Sequence, residues 1–100
     1  MATDPLFRMT VQDVFSIRGR GTVVTGKIES GTLNVGDEIS VQRQGSLKKT
    51  IVTGIESFRK ELQHAQAGDN VGVLLGEINK TDIQRGDVLI GSDAEFSWNP

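Results

Sequence analysis

This 100-residue chain predicts an all-β fold, a sandwich or a barrel. Three observations carry the expectation. Runs rich in β-branched residues recur, such as Thr22-Val23-Val24-Thr25 and Thr50-Ile51-Val52-Thr53. Such residues lose side-chain freedom in a helix and pack well on a pleated surface. Glycines and other turn formers divide these runs at short intervals. No segment holds a helical apolar period long enough for a stable helix. Closure is the favoured solution, since it removes edges through which a small sheet pairs with other chains.

Leu6 to Ile17 opens the sheet. Phe7, Met9 and Val11 share one face, and after a phase shift Phe15 and Ile17 continue it. One long strand would do this, as would two separated by a bulge. Gly19 and Gly21 mark the bend to a returning strand, Gly21 to Glu29, because a tight bend or bulge uses glycine's backbone freedom. A phosphate-binding Gly-x-Gly would launch a helix toward the anion, whereas a β-branched run follows here.

Ser30 to Asp37 is turn-rich, with a tight reversal at Asn34 to Asp37. Glu38 to Gln42 alternates cleanly and so buries one face. Gln44-Gly45-Ser46 is a hairpin tip before the strand Lys49 to Ile55. Phe58 to Ala65 is ambiguous: Phe58, Leu62 and Ala65 have helical spacing over a run too short for a stable isolated helix. Asp69 to Leu75 is a strand, Lys80 to Gly86 a turn or single helical turn, and Asp87 to Ile90 a final strand. Residues 1–5 and 92–100 show no pattern and are expected to be flexible ends, with Trp98 alone in the second.

The length fits one domain and buries roughly 65% of the unfolded surface, enough for a core without disulfides or a structural metal. The chain has no cysteine, which removes thiol chemistry and fits a reducing compartment. No apolar run approaches the roughly 20 residues of a membrane span, and no signal-peptide pattern opens the chain. A cytoplasmic protein without membrane contact is expected. A net charge of -2 argues against a general nucleic-acid coat. Local cationic pairs remain: Arg18 with Arg20, Lys48 with Lys49, and Arg59 with Lys60.

Catalysis finds little support. His64 is the only histidine, it lies in a polar stretch, and no thiol partners it. The carboxylates are scattered without metal-ligand spacing. Asn79-Lys80-Thr81-Asp82 spells a guanine-reading pattern, yet no phosphate-binding Gly-x-x-x-x-Gly-Lys-Ser/Thr loop accompanies it. The chain is not expected to be an enzyme.

Several blocks in order carry a family resemblance. They are Val11 to Ile17 with its glycines, Lys27-Ile28-Glu29-Ser30-Gly31, Val35-Gly36-Asp37-Glu38, Thr53 to Lys60, Ala67 to Leu75, and Arg85-Gly86-Asp87-Val88-Leu89. Together, over residues 6–91, they resemble the second domain of elongation factor Tu. The resemblance implies a small closed six-stranded antiparallel barrel, with a loop in place of the ambiguous 58–65 segment. It also implies that GTP and magnesium belong to another domain, leaving no cofactor here.

In that family the domain holds the aminoacylated 3′ end of tRNA beside the GTPase domain. Single-stranded ends suit protein recognition because a base can be splayed into a slot while its 2′-hydroxyl is hydrogen-bonded. Carried over by position, the resemblance assigns the 3′ end to Val23, Glu56, Arg59 and Leu74. It assigns the aminoacyl pocket to Gln12, Asp13, Phe15, Thr25 and Asn70, and the 5′ phosphate to Arg85. Without the family, Glu56 reads as a strand-end acid in a surface ion pair, and Phe15 and Val23 as core. Asn70 then reads as a turn former and Arg85 as support for the Gly86 turn.

Three departures stand out. Gln12 replaces the usual glutamate, Gly76-Glu77 replaces an arginine-glycine pair, and the Gln44-Gly45-Ser46 connection is short. Losing a cation and gaining an anion predicts weaker RNA affinity. The expected partners are the aminoacyl-tRNA acceptor end and a GTPase domain or the ribosome, with the domain itself monomeric. The alternative is a free-standing barrel that docks on the ribosome or another protein through apolar residues around Val14, Ile17 and Phe58.

Overall fold

The computed structural model describes residues 6–91. The ends expected to be flexible, with Trp98, lie outside the described residues. Strands β1 (Arg8–Thr10), β3 (Gly21–Ser30), β5 (Glu38–Arg43), β6 (Ser46–Ser57), β9 (Asn70–Gly76) and β10 (Val88–Gly91) build the barrel. They pair antiparallel in the closed order β1-β10-β5-β6-β9-β3-β1. The closed six-stranded antiparallel barrel is therefore observed. β2 (Asp13–Ile17) adds to β3, and β7 (Lys60–Leu62) adds to β6. β4 (Thr32–Asn34) and β8 (His64–Gln66) form a separate ribbon whose Leu33 and Ala65 join the core.

Strand register sorts the side chains. Val14, Val24, Val73, Ile55 and Leu62 lie in one row across β2, β3, β9, β6 and β7. Val24, Val73 and Ile55 are buried in the core, with Val14 and Leu62 packed against it. Fully burying such an aliphatic side chain stabilises the fold by about 1.5–3 kcal/mol.

The opening segment is two strands, and its second half does not continue the buried face. Phe7, Met9 and Val11 are buried, but Phe15 is 50% exposed and Ile17 38%. The break at Val11 and Gln12 causes this: their N–H groups donate to Asp87 and Thr25 carbonyls. β1 and β2 then pair with opposite halves of the long strand β3. Gly26 sits at the junction, where a Cβ would lie 2.5 Å from the Thr10 carbonyl oxygen. Only glycine permits that approach.

The 58–65 segment also departs from expectation. It holds β7 and the start of β8 rather than an irregular loop, and the turn-rich stretch before it contains β4. Short backbone pairings here override local propensity. The remaining turns fall as expected. Gly19 and Gly21 have φ of 82 and 101, Gln44-Gly45 turns the β5–β6 hairpin, and a 3-10 turn spans Lys80–Asp82. No helix among the described residues is long and apolar enough to cross a membrane.

Candidate functional site

The outer wall of the β2-β3-β9-β6 sheet carries the candidate residues. One outward row runs Phe15, Val23, Leu74, Gly54, and the next runs Asp13, Thr25, Gly72, Glu56, Glu61. Val23 and Leu74 are buried on this outer side, apart from the interior cluster. Glycines keep the wall above them open. A Cβ at Gly54 would reach 3.4 Å from Leu74 Cδ1, and one at Gly72 3.5 Å from Val23 Cγ1. The β6 register shifts between Val52 and Gly54, a bulge that bends the strand beside Leu74.

Two clefts meet at Glu56. A cleft of about 120 Å³ is lined by Arg20, Gly54, Glu56, Glu61, Leu62 and Leu74, among others. Another of about 220 Å³ is lined by Gln12, Thr25, Glu56, Phe58, Asn70 and Gly72, among others. Both are smaller than the roughly 300–1,000 Å³ usual for small-molecule pockets. Such shallow, adjoining hollows suit an extended partner lying across the surface.

The expected 3′-end residues Val23, Glu56 and Leu74 thus come together on one face. Of the aminoacyl residues, Gln12, Thr25 and Asn70 line the second cleft, while Asp13 and Phe15 flank it on β2. Phe15 is not a core residue. Arg85 is tied to the same strand end: its Nε donates to the Gln12 carbonyl at 2.8 Å, and its Nη2 pairs with Asp13 at 3.0 Å. That pairing crosses the chain and does not merely support the Gly86 turn.

Arg59 lies with Phe58 at the tip of the β6–β7 hairpin, between the paired residues Ser57 and Lys60. Both tip residues have positive φ, 51 at Phe58 and 67 at Arg59. That backbone is the two-residue turn that normally uses Asn-Gly. Phe58 is 91% exposed there, whereas Val14 is half-buried against the core. Val14 is therefore not the surface residue that the docking alternative expects.

Glu56 stands in an ion pair with Arg20. Arg20 was legible only as half of a cationic pair, since nothing local links it to a residue 36 positions away. Ile17 and Phe58, unlike Val14, are exposed as the docking alternative expects.

The Asn79-Lys80-Thr81-Asp82 pattern serves a local turn. The Asn79 N–H donates to the Asp82 carboxylate at 3.1 Å, and Lys48 Nζ approaches the same oxygen at 3.1 Å. These contacts, the backbone donor foremost, hold the Asp82 carboxyl below its usual value of 3.8. The Thr10 hydroxyl first, and Arg8 with it, holds Glu29 below its usual 4.5 against a smaller opposing effect of desolvation.

Residues 21–90 match the family model described as elongation factor Tu domain 2. The matched span contains Val23, Thr25, Glu56, Arg59, Asn70, Leu74 and Arg85; Gln12, Asp13 and Phe15 precede it. With well over half its length matched and the expected closed barrel observed, the chain belongs to the elongation factor Tu domain 2 family.

Proposed function

We propose that this domain cradles the aminoacylated 3′ end of tRNA beside a GTP-binding domain outside this chain. The observation supporting this reading is the convergence of Val23, Leu74 and Glu56 where two clefts adjoin on the outer wall. The terminal base lies over Val23 and Leu74, and Glu56 accepts the ribose 2′-hydroxyl. The aminoacyl group enters the neighbouring cleft of Gln12, Thr25 and Asn70, flanked by Asp13 and Phe15. Arg59 donates to the ester or adjacent backbone, a charge-assisted contact. Arg85 meets the 5′ phosphate with the guanidinium edge that Asp13 leaves open.

On this reading the domain acts by binding, without cofactor, as a monomer in the cytoplasm. Nucleotide hydrolysis is the work of its partner domain. Affinity in isolation is weak, because a site at a domain junction has only part of its contacts here. Titration with aminoacylated RNA and the same RNA deacylated tests the reading. Preference for the charged end, lost in Glu56→Ala and Arg59→Ala, supports it.

Phe58 favours a second reading, a module docking on the ribosome or another protein. A phenyl ring 91% exposed at the tip of a hairpin offers apolar area that a docking partner would cover. Equal, weak binding of both RNAs, with ribosome binding lost in Phe58→Ala, supports that alternative.

A further inference from the structure

We propose that Arg20 is a positioning residue for the terminal ribose, fixing the Glu56 carboxylate so that one oxygen stays available to the 2′-hydroxyl. This rests on the reading of Glu56 given above and adds the residue that makes it selective. Arg20 is delivered by a built turn. Gly19 and Gly21 both take positive φ, and the Arg20 N–H donates to the Ile17 carbonyl at 2.9 Å. From the β2–β3 turn its Nη2 reaches Glu56 Oε2 on β6. Among the described residues, no donor is bonded to Glu56 Oε1.

Glu56 needs such a partner. It stands directly across from Glu61 on β7, and like charges opposed across strands repel. Left alone, the carboxylate would swing away from Glu61 and lose a fixed orientation. The Arg20 and Glu56 side chains are 41% and 30% exposed, so their pairing contributes little to folding. Its consequence is geometric: the carboxylate is held in place before the ligand arrives, and less ordering is left for binding. Arg20 and Glu56 also line the same small cleft as Leu74, placing this ordering beside the apolar slot.

Two RNAs of acceptor-end sequence test the assignment, both aminoacylated at the 3′ oxygen, one ending in adenosine and the other in 2′-deoxyadenosine. Unmodified protein is expected to prefer the ribose end by about tenfold, the scale of one hydrogen bond to a charged acceptor. Arg20→Ala brings that ratio close to one, and Arg20→Lys restores part of it. In a Glu56→Ala background, Arg20→Ala leaves the ratio unchanged. If Arg20→Ala weakens both RNAs equally and keeps the ratio, Arg20 is only a phosphate contact and the proposal is overturned. If the unmodified protein shows no ratio, the Glu56 reading fails and carries the proposal with it. Amide spectra of Arg20→Ala that match the parent away from the cleft establish that the variant is folded.

Discussion

Val23 and Leu74 face each other across β3 and β9 on the outside of the barrel, each only 6% exposed although neither joins the interior cluster. The neighbours of Leu74 along β9, Val73 and Leu75, point inward and are part of that cluster. One strand therefore carries core residues and the proposed binding residues on opposite faces, as strand geometry requires.

That alternation separates two substitutions one residue apart. Val73→Ala removes a fully buried core side chain and is expected to cost about 2–3 kcal/mol with the RNA preference retained. Leu74→Ala also removes a buried side chain and is expected to cost about 2–3 kcal/mol, the lower part of the usual range because the outer wall can relax, and to abolish preference for the charged RNA end. Urea unfolding and RNA titration on both variants check this. The expectation fails if Val73→Ala, and not Leu74→Ala, removes the preference.

Gly26→Ala tests the junction of β1 and β2. The added Cβ meets the Thr10 carbonyl oxygen and two Met9 side-chain atoms, so β1 or β3 must move. A loss of about 2–3 kcal/mol is expected, against a small effect on stability for Gly72→Ala, where φ is ordinary and the added Cβ makes only van der Waals contact at 3.5 Å or more. Thermal unfolding measures it.

Replacing Phe58-Arg59 with Asn-Gly matches side chains to the backbone already present. Relief of two positive-φ residues is expected to stabilise the hairpin by about 1–2 kcal/mol. The same change removes the proposed ester contact and is expected to lower affinity for the charged RNA. Stability and binding thus move in opposite directions.

Acid sensitivity follows from Glu29 and Asp82, whose folded carboxyls titrate below their usual values of 4.5 and 3.8. A depressed folded value means the unfolded chain binds protons first. The stabilisation is present above those usual values and is lost as pH falls through the folded ones. Glu29→Gln and Asp82→Asn are each expected to flatten the fall in melting temperature below about pH 4.5. Equal slopes in parent and variants contradict this.

Local chemistry made most of the barrel legible. β-branched runs became strands, and Gly19, Gly21 and Gly45 became turns, because each depends on neighbours in the chain. The misplaced elements depend on distant partners. Phe15 and Ile17 share a period with the core face of β1, but β2 joins β3 after a break that only the Asp87 and Thr25 carbonyls create. The 58–65 stretch becomes strand because β6 and β4 are there to pair with it. At the site, Val23, Glu56 and Leu74 were reachable through resemblance. The Arg20–Glu56 pair was not, since a turn and two intervening strands bring it together.

Amide chemical-shift mapping during titration with 3′-aminoacylated RNA decides whether the outer wall of the β2-β3-β9-β6 sheet is the binding face. The largest changes are expected at Val23, Glu56, Gly72 and Leu74, continuing to Thr25 and Asn70. Changes centred instead on the opposite end of β6, around Leu47 to Ile51 and Glu77, would contradict it.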